Sequence, residues 1–375
     1  SLKPLPEIDI KADAPVAIMY TSGTTGKPKG AVLSHRNIVS AIWTTMFGLA
    51  VSREFHNQSA QRIDGQKTAL ITTPLFHVIG LISGLVVQTF FGGRLVLMRK
   101  WDAESAAHLI QRERVTSMTT VPVIIDQLID VARMNKYNLS SLERISVGGA
   151  PSSAALVKRL DQVFPDAMIG TGWGMTETGS PSTHAFGRDL LNRPSSVGLP
   201  TPVCEIRIVN EDGNDCVTTE QGELWVRGPN VIRRYWNHDK ATRETFIDGY
   251  VRTGDVVVQD DEGYLVVVDR LKDMIIRGGE NIYCVEVEQA IQSFGGILEV
   301  AVLGIPHEFL GEAVAAVLCV GPNEKIDLAA LKVFLAARIA RFKVPTQFVC
   351  RNESLPRNAI GKVQKHLLKE QRALG

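Results

Sequence analysis

The chain has 375 residues, a length that suggests two or three domains and allows a large hydrophobic core. Hydrophobic residues make up 45% and charged residues 22%, which excludes a disordered or fibrous chain and is typical of a globular protein. The formal net charge of +1 creates no overall field that would attract nucleic acid or an acidic membrane, and we expect no nucleic-acid partner.

The cysteines and the first residues indicate a reducing compartment. The five cysteines are scattered and form no CxxC pair, and Ser1–Pro6 has no signal-peptide pattern. The most apolar stretch, Phe76–Phe91, is too short to span a bilayer comfortably, and a buried helix is the better interpretation. We therefore expect a cytoplasmic protein with no transmembrane segment.

The first half of the chain alternates predicted strands and helices. Pro15–Tyr20 is an apolar strand that enters a glycine-rich loop, and Ser34 is a candidate N-cap for a helix to about Phe47. Residues 52–67 are polar and predict an exposed loop. The predicted elements that follow are strand 67–72, helix 80–91, strand 93–98, helix 103–112, strand 116–121, helix 122–134, strand 145–148 and helix 152–163. This alternation predicts a parallel α/β sheet over residues 1–190.

The pattern changes near Leu199. Short β-branched runs at 205–209, 222–226, 256–259 and 264–268 are separated by turn sequences, which predicts a β-rich, barrel-like subdomain over residues 191–269. The chain then returns to mixed elements, with strand 274–276, helix 285–293, strands 298–304 and 314–320, and helix 328–338. We predict a small C-terminal α+β domain over residues 273–375, joined through residues 270–272.

The loop Thr21–Gly30 has the composition of an anion-binding loop. Its three glycines let backbone N–H groups approach an anion, four hydroxyl side chains add donors, and Lys27 and Lys29 supply positive charge. A helix N-terminus is expected to follow, which would favour phosphate further. The spacing of Gly23 and Gly26 is not that of a Walker loop. The loop therefore predicts a polyphosphate site of a different type.

Four further motifs follow this loop in order. They are Gly148–Pro151, Gly170–Thr178, Tyr250–Asp255 with Arg270, and Pro356–Lys362. Singly, each could be an ordinary turn or a solvated charge, and Met175 breaks the dinucleotide-binding pattern that the second motif imitates. Together they resemble the adenylate-forming superfamily, which includes acyl- and aryl-CoA synthetases, firefly-luciferase-like enzymes and peptide-synthetase adenylation domains. The likeness is to its AMP-forming acyl-CoA synthetases and covers essentially the whole chain.

The resemblance implies an ATP site and a Mg²⁺ ligand. Thr176 would touch the α-phosphate and Glu177 would hold Mg²⁺; Trp173 stands where the family usually has tyrosine, and its ring could still stack on adenine. Asp255 and Arg270 would contact the ribose hydroxyls. The remaining implied nucleotide contacts are Thr21, Ser22, Gly23, Thr24, Thr25, Gly26, Lys29, Gly149, Ala150, Pro151, Gly172 and Gly174.

The resemblance also implies a moving C-terminal domain. Lys362 would bridge the attacking carboxylate and the α-phosphate, as a catalytic residue alongside Thr176 and Glu177, and Lys272 falls at the hinge position. Gly278, Gly279 and Glu280 would then approach coenzyme A. Lys365 and Lys369 lack such a context and are expected to be surface charges.

The acid and the acceptor are less defined. Pro74–Val78 resembles an acid-pocket segment, which makes His77, Val78 and Gly148 candidate substrate contacts, although His77 could equally be a packed histidine. No charged residue is evident for an amino-acid ammonium, which favours an apolar, fatty-type acid. Gly278–Tyr283 resembles the version typical of acyl-CoA synthetases, which favours free CoA as the acceptor. Two alternatives stay open: delivery of the adenylate to a carrier protein, and an inactive ATP- or acyl-binding fragment. A homo-oligomer also stays open.

One departure from the family concerns the start of the sequence. Family members have a sizeable α/β region before the phosphate loop, whereas here Pro15–Tyr20 leads directly into it. The N-terminal part of the family domain is therefore expected to be absent. A sheet that lacks its earlier strands should expose an apolar edge and face.

Overall fold

The computed structural model describes residues 8–21, 28–56, 66–150, 152–179, 181–322, 324–358 and 361–370. The chain divides into two compact units. The first comprises residues 1–207 and 225–253, and the second comprises residues 208–224 and 254–375.

The first unit begins with a hairpin and a long helix. Strands β1 (Pro15–Thr21) and β2 (Lys29–Ser34) are antiparallel, and helix α1 (His35–His56) follows. Ser34 is the N-cap, as predicted: its hydroxyl accepts the N–H of Asn37 at 3.3 Å, and the Asn37 amide oxygen accepts the N–H of Ser34 at 2.8 Å. This reciprocal pair satisfies two backbone donors at the start of the helix.

A seven-stranded sheet forms the centre of the described part of the first unit. Its order is β4-β3-β5-β6-β7-β8-β9, in which β3 to β7 are parallel and β8 and β9 are antiparallel. The strands are β3 (Thr68–Ile71), β4 (Arg94–Leu97), β5 (Ser117–Thr120), β6 (Arg144–Val147), β7 (Met168–Thr171), β8 (Thr183–Phe186) and β9 (Leu199–Pro200). The predicted parallel α/β sheet is therefore present.

Helices cover this sheet. They are α2 (Val87–Phe90), preceded by a π-helix (Ile79–Val86), then α3 (Ala103–Glu113), α4 (Pro122–Arg133), α5 (Ala154–Val163), the 3₁₀-helix Thr176–Thr178, and α6 (Gly187–Asn192). Apolar residues of α3, α4 and α5 pack with Leu70, Met118, Ile145 and Ile169 of the strands in one large core. That core occupies one face of the sheet, since these four residues point to the same side.

A second sheet is antiparallel, as the β-rich pattern predicted. Its order is β10-β11-β13-β12, and β14 also pairs with β13. The strands are β10 (Glu205–Val209), β11 (Gly222–Arg227), β12 (Phe246–Ile247), β13 (Tyr250–Gln259) and β14 (Leu265–Arg270), with helix α7 (Asp239–Thr245) before β12.

The C-terminal part of the second unit is α+β, as predicted. Its sheet has the order β16-β15-β18-β17, and β19 pairs with β18 in parallel. The elements are β15 (Ile275–Arg277), β16 (Glu280–Ile282), α8 (Cys284–Gln292), β17 (Ile297–His307), β18 (Gly311–Val320), α9 (Leu328–Ala336), the 3₁₀-helix Arg341–Lys343, β19 (Gln347–Arg351) and α10 (Lys365–Glu370). Val302, Val314 and Leu318 are fully buried between this sheet and the helices.

Three local predictions were wrong. The helix after Ser34 does not end near Phe47 but continues to His56, because residues 48–56 contain no proline and only one glycine. The predicted loop at 52–67 is therefore helical over its first residues, and residues 57–65 lie outside the described part. The single helix expected at 80–91 begins instead as a π-helix, in which the Val87 N–H donates to the Ile82 carbonyl, five residues earlier.

Large apolar side chains are exposed on β1 and α1. Val16, Ile18 and Tyr20 alternate along β1 with exposures of 46%, 41% and 60%. Val39, Trp43 and Phe47, each four residues apart on α1, are 49%, 60% and 50% exposed. These side chains belong to the hairpin and to α1 and not to the seven-stranded sheet, so the expected exposure of that sheet's edge and face stays a prediction. In the part of the chain that the structure describes, no helix combines the length and the apolar composition needed to cross a bilayer.

Candidate functional site

The predicted phosphate loop joins two antiparallel strands. Thr21 ends β1 directly opposite Lys29, which begins β2, so both ends of the loop are held together by the sheet register. The expectation that a helix N-terminus follows the loop was wrong: β2 intervenes, and α1 begins only at His35. Residues 30–33 are all buried, so β2 lacks the alternation of apolar and polar residues by which a strand is recognised in a sequence. Ser22, Gly23, Thr24, Thr25 and Gly26 lie outside the described residues.

A buried tyrosine connects the loop exit to Glu177. Tyr235 is 4% exposed, and its hydroxyl donates to Glu177 Oε1 at 2.7 Å. Burial and the neighbouring carboxylate raise the pKa of Tyr235, so the hydroxyl remains a donor at working pH. Lys29 Nζ lies 5.1 Å from the centroid of the Tyr235 ring. The sequence did not single out Tyr235, since nothing in its local pattern signals a partner 58 residues away.

Backbone pairing fixes this tyrosine in place. The Trp236 N–H donates to the Gly30 carbonyl at 2.7 Å, and Ala31 forms a bridge with Tyr235. The Ile232 N–H donates to the Glu177 carbonyl at 2.9 Å. The segment after β11 is therefore bound both to the loop exit and to the Gly170–Thr178 motif.

Glu177 fits the role of a single magnesium ligand. Its side chain is 6% exposed and presents a hard carboxylate oxygen beside the strand that carries the loop. Mg²⁺ in nucleotide sites is held by one or two carboxylates together with substrate phosphates and water, so a cage of protein ligands is not required. Over the described residues no cluster of three or more His, Cys, Asp or Glu forms such a cage. Glu177 lies in the 3₁₀-helix with Thr176, which is half-buried.

The Gly170–Thr178 motif is folded back on β8. The carbonyl of Trp173 accepts the N–H groups of Ser182 and Thr183, and its own N–H donates to the Thr183 hydroxyl at 3.0 Å. The Trp173 side chain is 8% exposed and belongs to the interior, so stacking on adenine stays a prediction. A Cβ at Gly172 would lie 2.4 Å from the Thr183 carbonyl oxygen, which explains glycine at that position.

A cavity lies beside the two glycine-rich motifs. Gly148, Gly149, Gly172 and Gly174 line one end of it, and Val78 lines its wall. The cavity contains about 890 Å³ of space, counted with its opening to solvent. The structure therefore brings together two of the three predicted acid contacts, Val78 and Gly148.

The third predicted acid contact, His77, is outside this lining. Among the described residues that line the cavity, Val78 is present and His77 is absent. The His77 ring packs against Phe76 at 4.7 Å between centroids, and burial lowers its pKa. Ala150 is half-buried next to Gly149, and Pro151 lies outside the described residues.

The predicted ribose pair is formed in the second unit. Asp255 on β13 stands directly opposite Arg270 on β14, and Arg270 Nε lies 2.8 Å from Asp255 Oδ1. Asp255 is 4% exposed. Gly254 has a φ of +70°, which turns the strand and lets its N–H donate to Glu223 Oε1 at 3.0 Å.

Lys362 lies near this pair. Burial, and then the positive charge of Arg270, lower the pKa of Lys362 to about 7, while Asp255 acts in the opposite direction. The turn that presents it is tightly held: the Lys362 N–H donates to Asn358 Oδ1 at 3.0 Å, and Gly361 has a φ of +76°. Lys272 is exposed in the turn after β14. The structure thus brings Asp255, Arg270 and Lys362 together.

Lys365 is not the surface charge that the sequence indicated. Its side chain is 19% exposed and pairs with Glu288 of α8 at 2.7 Å, because α10 packs its first turn inward. Burial alone would lower the pKa of Lys365, but the adjacent Glu288 carboxylate raises it. Glu288 Oε1 also accepts the Val302 N–H at 2.9 Å. Lys369 is exposed, as expected.

Asp269 caps α8 from the end of β14. It is 3% exposed, and its carboxylate accepts the N–H of Arg270 at 2.7 Å and that of Cys284, the first residue of α8. Burial raises the pKa of Asp269 to about 6, although these N–H donors and Lys365 act against the shift. This carboxylate therefore fixes both the end of β14 and helix α8, whose Glu288 pairs with Lys365.

The predicted CoA segment is a two-residue hairpin. Gly278 and Gly279 have φ values of +60° and +88° and connect β15 to β16, a turn that requires residues without a Cβ. A Cβ at Gly279 would meet no described atom within 4 Å, so the turn is open. Glu280 is exposed. The contact of this segment with CoA stays a prediction.

Comparisons with known proteins agree with this geometry. Residues 2–236 match the AMP-binding enzyme family, and residues 286–362 match the AMP-binding enzyme C-terminal domain. The chain is 38% identical over 352 residues to an indoleacetate–CoA ligase of Aromatoleum aromaticum, covering 94% of this chain and 66% of that protein. It is 33% identical over 368 residues to a long-chain-fatty-acid–CoA ligase of Mycobacterium tuberculosis, covering 98% and 69%.

Solved structures show the same fold. An o-succinylbenzoate CoA synthetase from Bacillus subtilis, in complex with its acyl-adenylate intermediate, superposes with a TM-score of 0.84 at 32% identity, covering 100% of this chain and 73% of that one. ATP-bound MatB from Rhodopseudomonas palustris gives 0.86 at 31% identity, covering 99% and 70%. The chain thus spans about two thirds of the length of its curated relatives. By sequence and by fold, the chain belongs to the AMP-binding enzyme family of adenylate-forming proteins.

Proposed function

We propose that the protein is an ATP-dependent, AMP-forming acid–thiol ligase, which converts a carboxylic acid into an acyl-adenylate and transfers the acyl group to CoA. The observation that carries this proposal is the pairing of Asp255 with Arg270 beside Lys362, the three positions expected to act on ribose and on the reacting carboxylate. The CoA ligase activity of the curated relatives supports it.

The first step needs charge neutralisation and no general base. The acid is already ionised at neutral pH, so its oxygen can attack the α-phosphorus directly while pyrophosphate leaves. The ammonium form of Lys362 would attract both the attacking carboxylate and the α-phosphate. Glu177, oriented by Tyr235, would hold a Mg²⁺ ion, whose role is to offset phosphate charge. Thr176 and Lys29 would add contacts to the phosphates.

The second step needs Lys362 to leave and a thiol to enter. Rotation at Lys272 would exchange the Lys362 turn for the Gly278–Glu280 hairpin. The open turn at Gly279 leaves room for a narrow pantetheine arm. The CoA sulfur would then attack the acyl carbonyl carbon, and AMP would leave with its phosphate oxygen.

The acid is proposed to be largely apolar. Val78, Ile79, Val87 and Phe186 supply apolar surface to the cavity next to Gly148. Fatty-acid and indoleacetate ligases among the relatives act on acids of this kind. An adenylate ligase that delivers to a carrier protein is the alternative.

The domain limits and the location are also proposals. We propose an α/β region to residue 190, a β-rich region to 269, a hinge at 270–272 and a mobile C-terminal domain from 273. The five cysteines are all free thiols, which supports a reducing compartment such as the cytoplasm.

Pyrophosphate exchange with a panel of acids, measured with and without CoA, tests the function. Acid-dependent exchange followed by thioester formation is expected. Exchange without thioester formation would favour a carrier protein as the acceptor. The absence of exchange would favour a protein that binds ATP or an acyl group without catalysing adenylation.

The Lys362→Ala variant is expected to lose exchange by at least about 100-fold, since one charge-stabilising group is removed. It should retain thioester formation from supplied acyl-adenylate, because Lys362 acts only in the first step. Normal exchange in this variant would refute the assignment.

A further inference from the structure

The two faces of the central sheet differ in chemistry. Met118, Ile145 and Val147 face the apolar core formed with α3, α4 and α5. Because side chains alternate along a strand, the residues between them point to the opposite face. On β5 and β6 these are Ser117, Thr119, Arg144 and Ser146. The second face is therefore polar at the centre of the sheet, where a parallel α/β sheet is usually apolar on both sides.

The cavity lies against this polar face. Gly148 lies just beyond the end of β6, next to the predicted reaction centre, and Ser146 and Arg144 follow down the same strand; all three line the cavity. Thr119 stands opposite Ser146 in the sheet register and lines it too. At about 3.3 Å per residue, Arg144 lies roughly 13 Å from Gly148 along the strand.

The opposite wall is mixed. The π-helix and α2 contribute apolar Ile79 and Val87, but also the buried amide of Gln88, which is 8% exposed. His184 of β8 also lines the cavity, and burial lowers its pKa to about 4, so its imidazole is neutral at pH 7. A neutral imidazole can donate one hydrogen bond and accept another.

Arg144 gives the cavity its charge. Among the described residues that line the cavity, it is the one ionised side chain at neutral pH. A guanidinium binds carboxylate or phosphate-like oxygens through two parallel N–H donors. A plain alkyl tail makes no hydrogen bond and no ion pair with a surface of this kind, whereas a carboxylate can make both. An anionic group at the far end of the substrate would meet the guanidinium and the neighbouring hydroxyls.

We propose that the cavity takes an acid with an apolar body and a second carboxylate at its far end, and that Arg144 recognises this carboxylate. The proposal rests on the proposed ligase function and defines its substrate class: dicarboxylic acids, of which one carboxylate is adenylated near Gly148 and the other is bound near Arg144. The adenylation chemistry is unchanged, since the distal carboxylate takes no part in bond making or breaking.

The test is pyrophosphate exchange with matched straight-chain acids of graded length. At each length, the monocarboxylic acid, the ω-hydroxy acid and the α,ω-dicarboxylic acid are compared. We expect a dicarboxylic acid to have the highest kcat/KM of the whole set. Arg144→Met should lower its kcat/KM by about 30- to 4,000-fold, the usual cost of removing one partner of a desolvated ion pair, and should lower the kcat/KM of the monocarboxylic acids far less.

Arg133→Met is the matched control, because Arg133 is an exposed arginine at the end of α4. It should change none of these values. The order of the wild-type substrates decides the question even if Arg144→Met does not fold. A preference for monocarboxylic or ω-hydroxy acids at every length, or an equal loss for all acids in Arg144→Met, overturns the proposal but leaves the ligase function standing. If none of the acids supports pyrophosphate exchange, both the dicarboxylic-acid proposal and the ligase function are overturned.

Discussion

At the scale of single residues, Lys362 is a lysine whose charge is set by its neighbours. Burial and the positive charge of Arg270 favour the neutral amine, and its pKa of about 7 places the change of charge near physiological pH. In the proposed mechanism, adenylation needs the ammonium form of Lys362. Bound ATP and acid, both anionic, would restore the proton, so the free and the bound enzyme should titrate differently.

This predicts the pH dependence of exchange. Since kcat/KM reports the free enzyme, it should fall as pH rises through about 7 and Lys362 loses its proton. The fall in kcat should come at higher pH, because the bound anions favour the charged form. Exchange rates measured from pH 6 to 10, at saturating and at low concentrations of the carboxylic acid substrate, check this prediction. In Lys362→Arg, residual exchange should lack the fall near pH 7, since arginine does not titrate there. If the fall persists in that variant, Lys362 is not the group that causes it.

Tyr235 is expected to act through Glu177. Tyr235→Phe keeps the ring beside Lys29 but removes the hydrogen bond to the carboxylate. The affinity for Mn²⁺ in the presence of a non-hydrolysable ATP analogue should fall about 10-fold, in line with the loss of a hydrogen bond to a charged group. Electron paramagnetic resonance measures the affinity for Mn²⁺ directly, so the test does not require turnover.

Tyr137→Phe is a matched control for this experiment. Tyr137 donates a hydrogen bond of 3.0 Å to Glu104 on the surface, so its loss should leave metal binding unchanged. Equal metal affinities for Tyr235→Phe and the wild type would show that the hydroxyl does not orient Glu177.

At the scale of elements, the Lys365–Glu288 pair fixes the segment that carries Lys362. Lys365 is three residues beyond Lys362, and its partner on α8 also binds the Val302 N–H of β17. Asp269, near the end of β14, accepts the first N–H of the same helix. The position of Lys362 therefore depends on α8, which links the reactive turn to the end of β14.

Breaking this pair should affect both stability and rate. Lys365→Met leaves a carboxylate that has lost its charged partner, and a destabilisation of up to about 3–5 kcal/mol is typical when the pair is buried. Exchange should fall mainly in kcat, with the KM for ATP little changed. Thermal unfolding and exchange kinetics measure the two effects. The double variant Lys365→Met/Glu288→Met should recover stability but not kcat.

Lys369→Met is the control on the same helix, because Lys369 is exposed. If the Lys365→Met variant loses stability while its kcat is unchanged, the pair has only a structural role.

The elements show what the sequence could and could not predict. Asp255 and Arg270 were expected at one ribose because both match positions of the family motifs. The structure pairs them on two strands joined by a short turn. The partners of Glu177 and Lys365 were missed, since both contacts join distant segments. Periodicity located most helices and strands, but β2 lacks alternation and the π-helix has an apolar pattern that an α-helix would share.

At the scale of the whole molecule, the exposed apolar side chains of β1 and α1 should govern behaviour in solution. Trp43 and Phe47 lie one turn apart on α1 and are at least half exposed. Surfaces of this kind promote association and bind hydrophobic dyes. They contribute little to the stability of the isolated chain, because they bury little area within it.

Replacing both side chains by glutamine is therefore expected to reduce the fluorescence of bound anilinonaphthalene sulfonate and the concentration dependence of light scattering. The melting temperature should change by no more than a few degrees, since surface substitutions are usually within about 0.5 kcal/mol. The Val333→Gln variant, at an exposed site on α9, serves as the comparison. Unchanged dye binding in the double variant would mean that the apolar surface lies elsewhere.

The π-helix Ile79–Val86 has a consequence for how the proposed acid pocket can change. Its hydrogen bonds span five residues, one more than in an α-helix. Deleting one residue there would restore α-helical geometry and turn the residues after it by about 100° relative to those before it. Ser83, Val87 and Gln88, which line the cavity, would then present different groups to the acid, while the strands stayed in register. We therefore expect a single-codon deletion there to change which acids the proposed pocket accepts, while the residues proposed for catalysis stay the same.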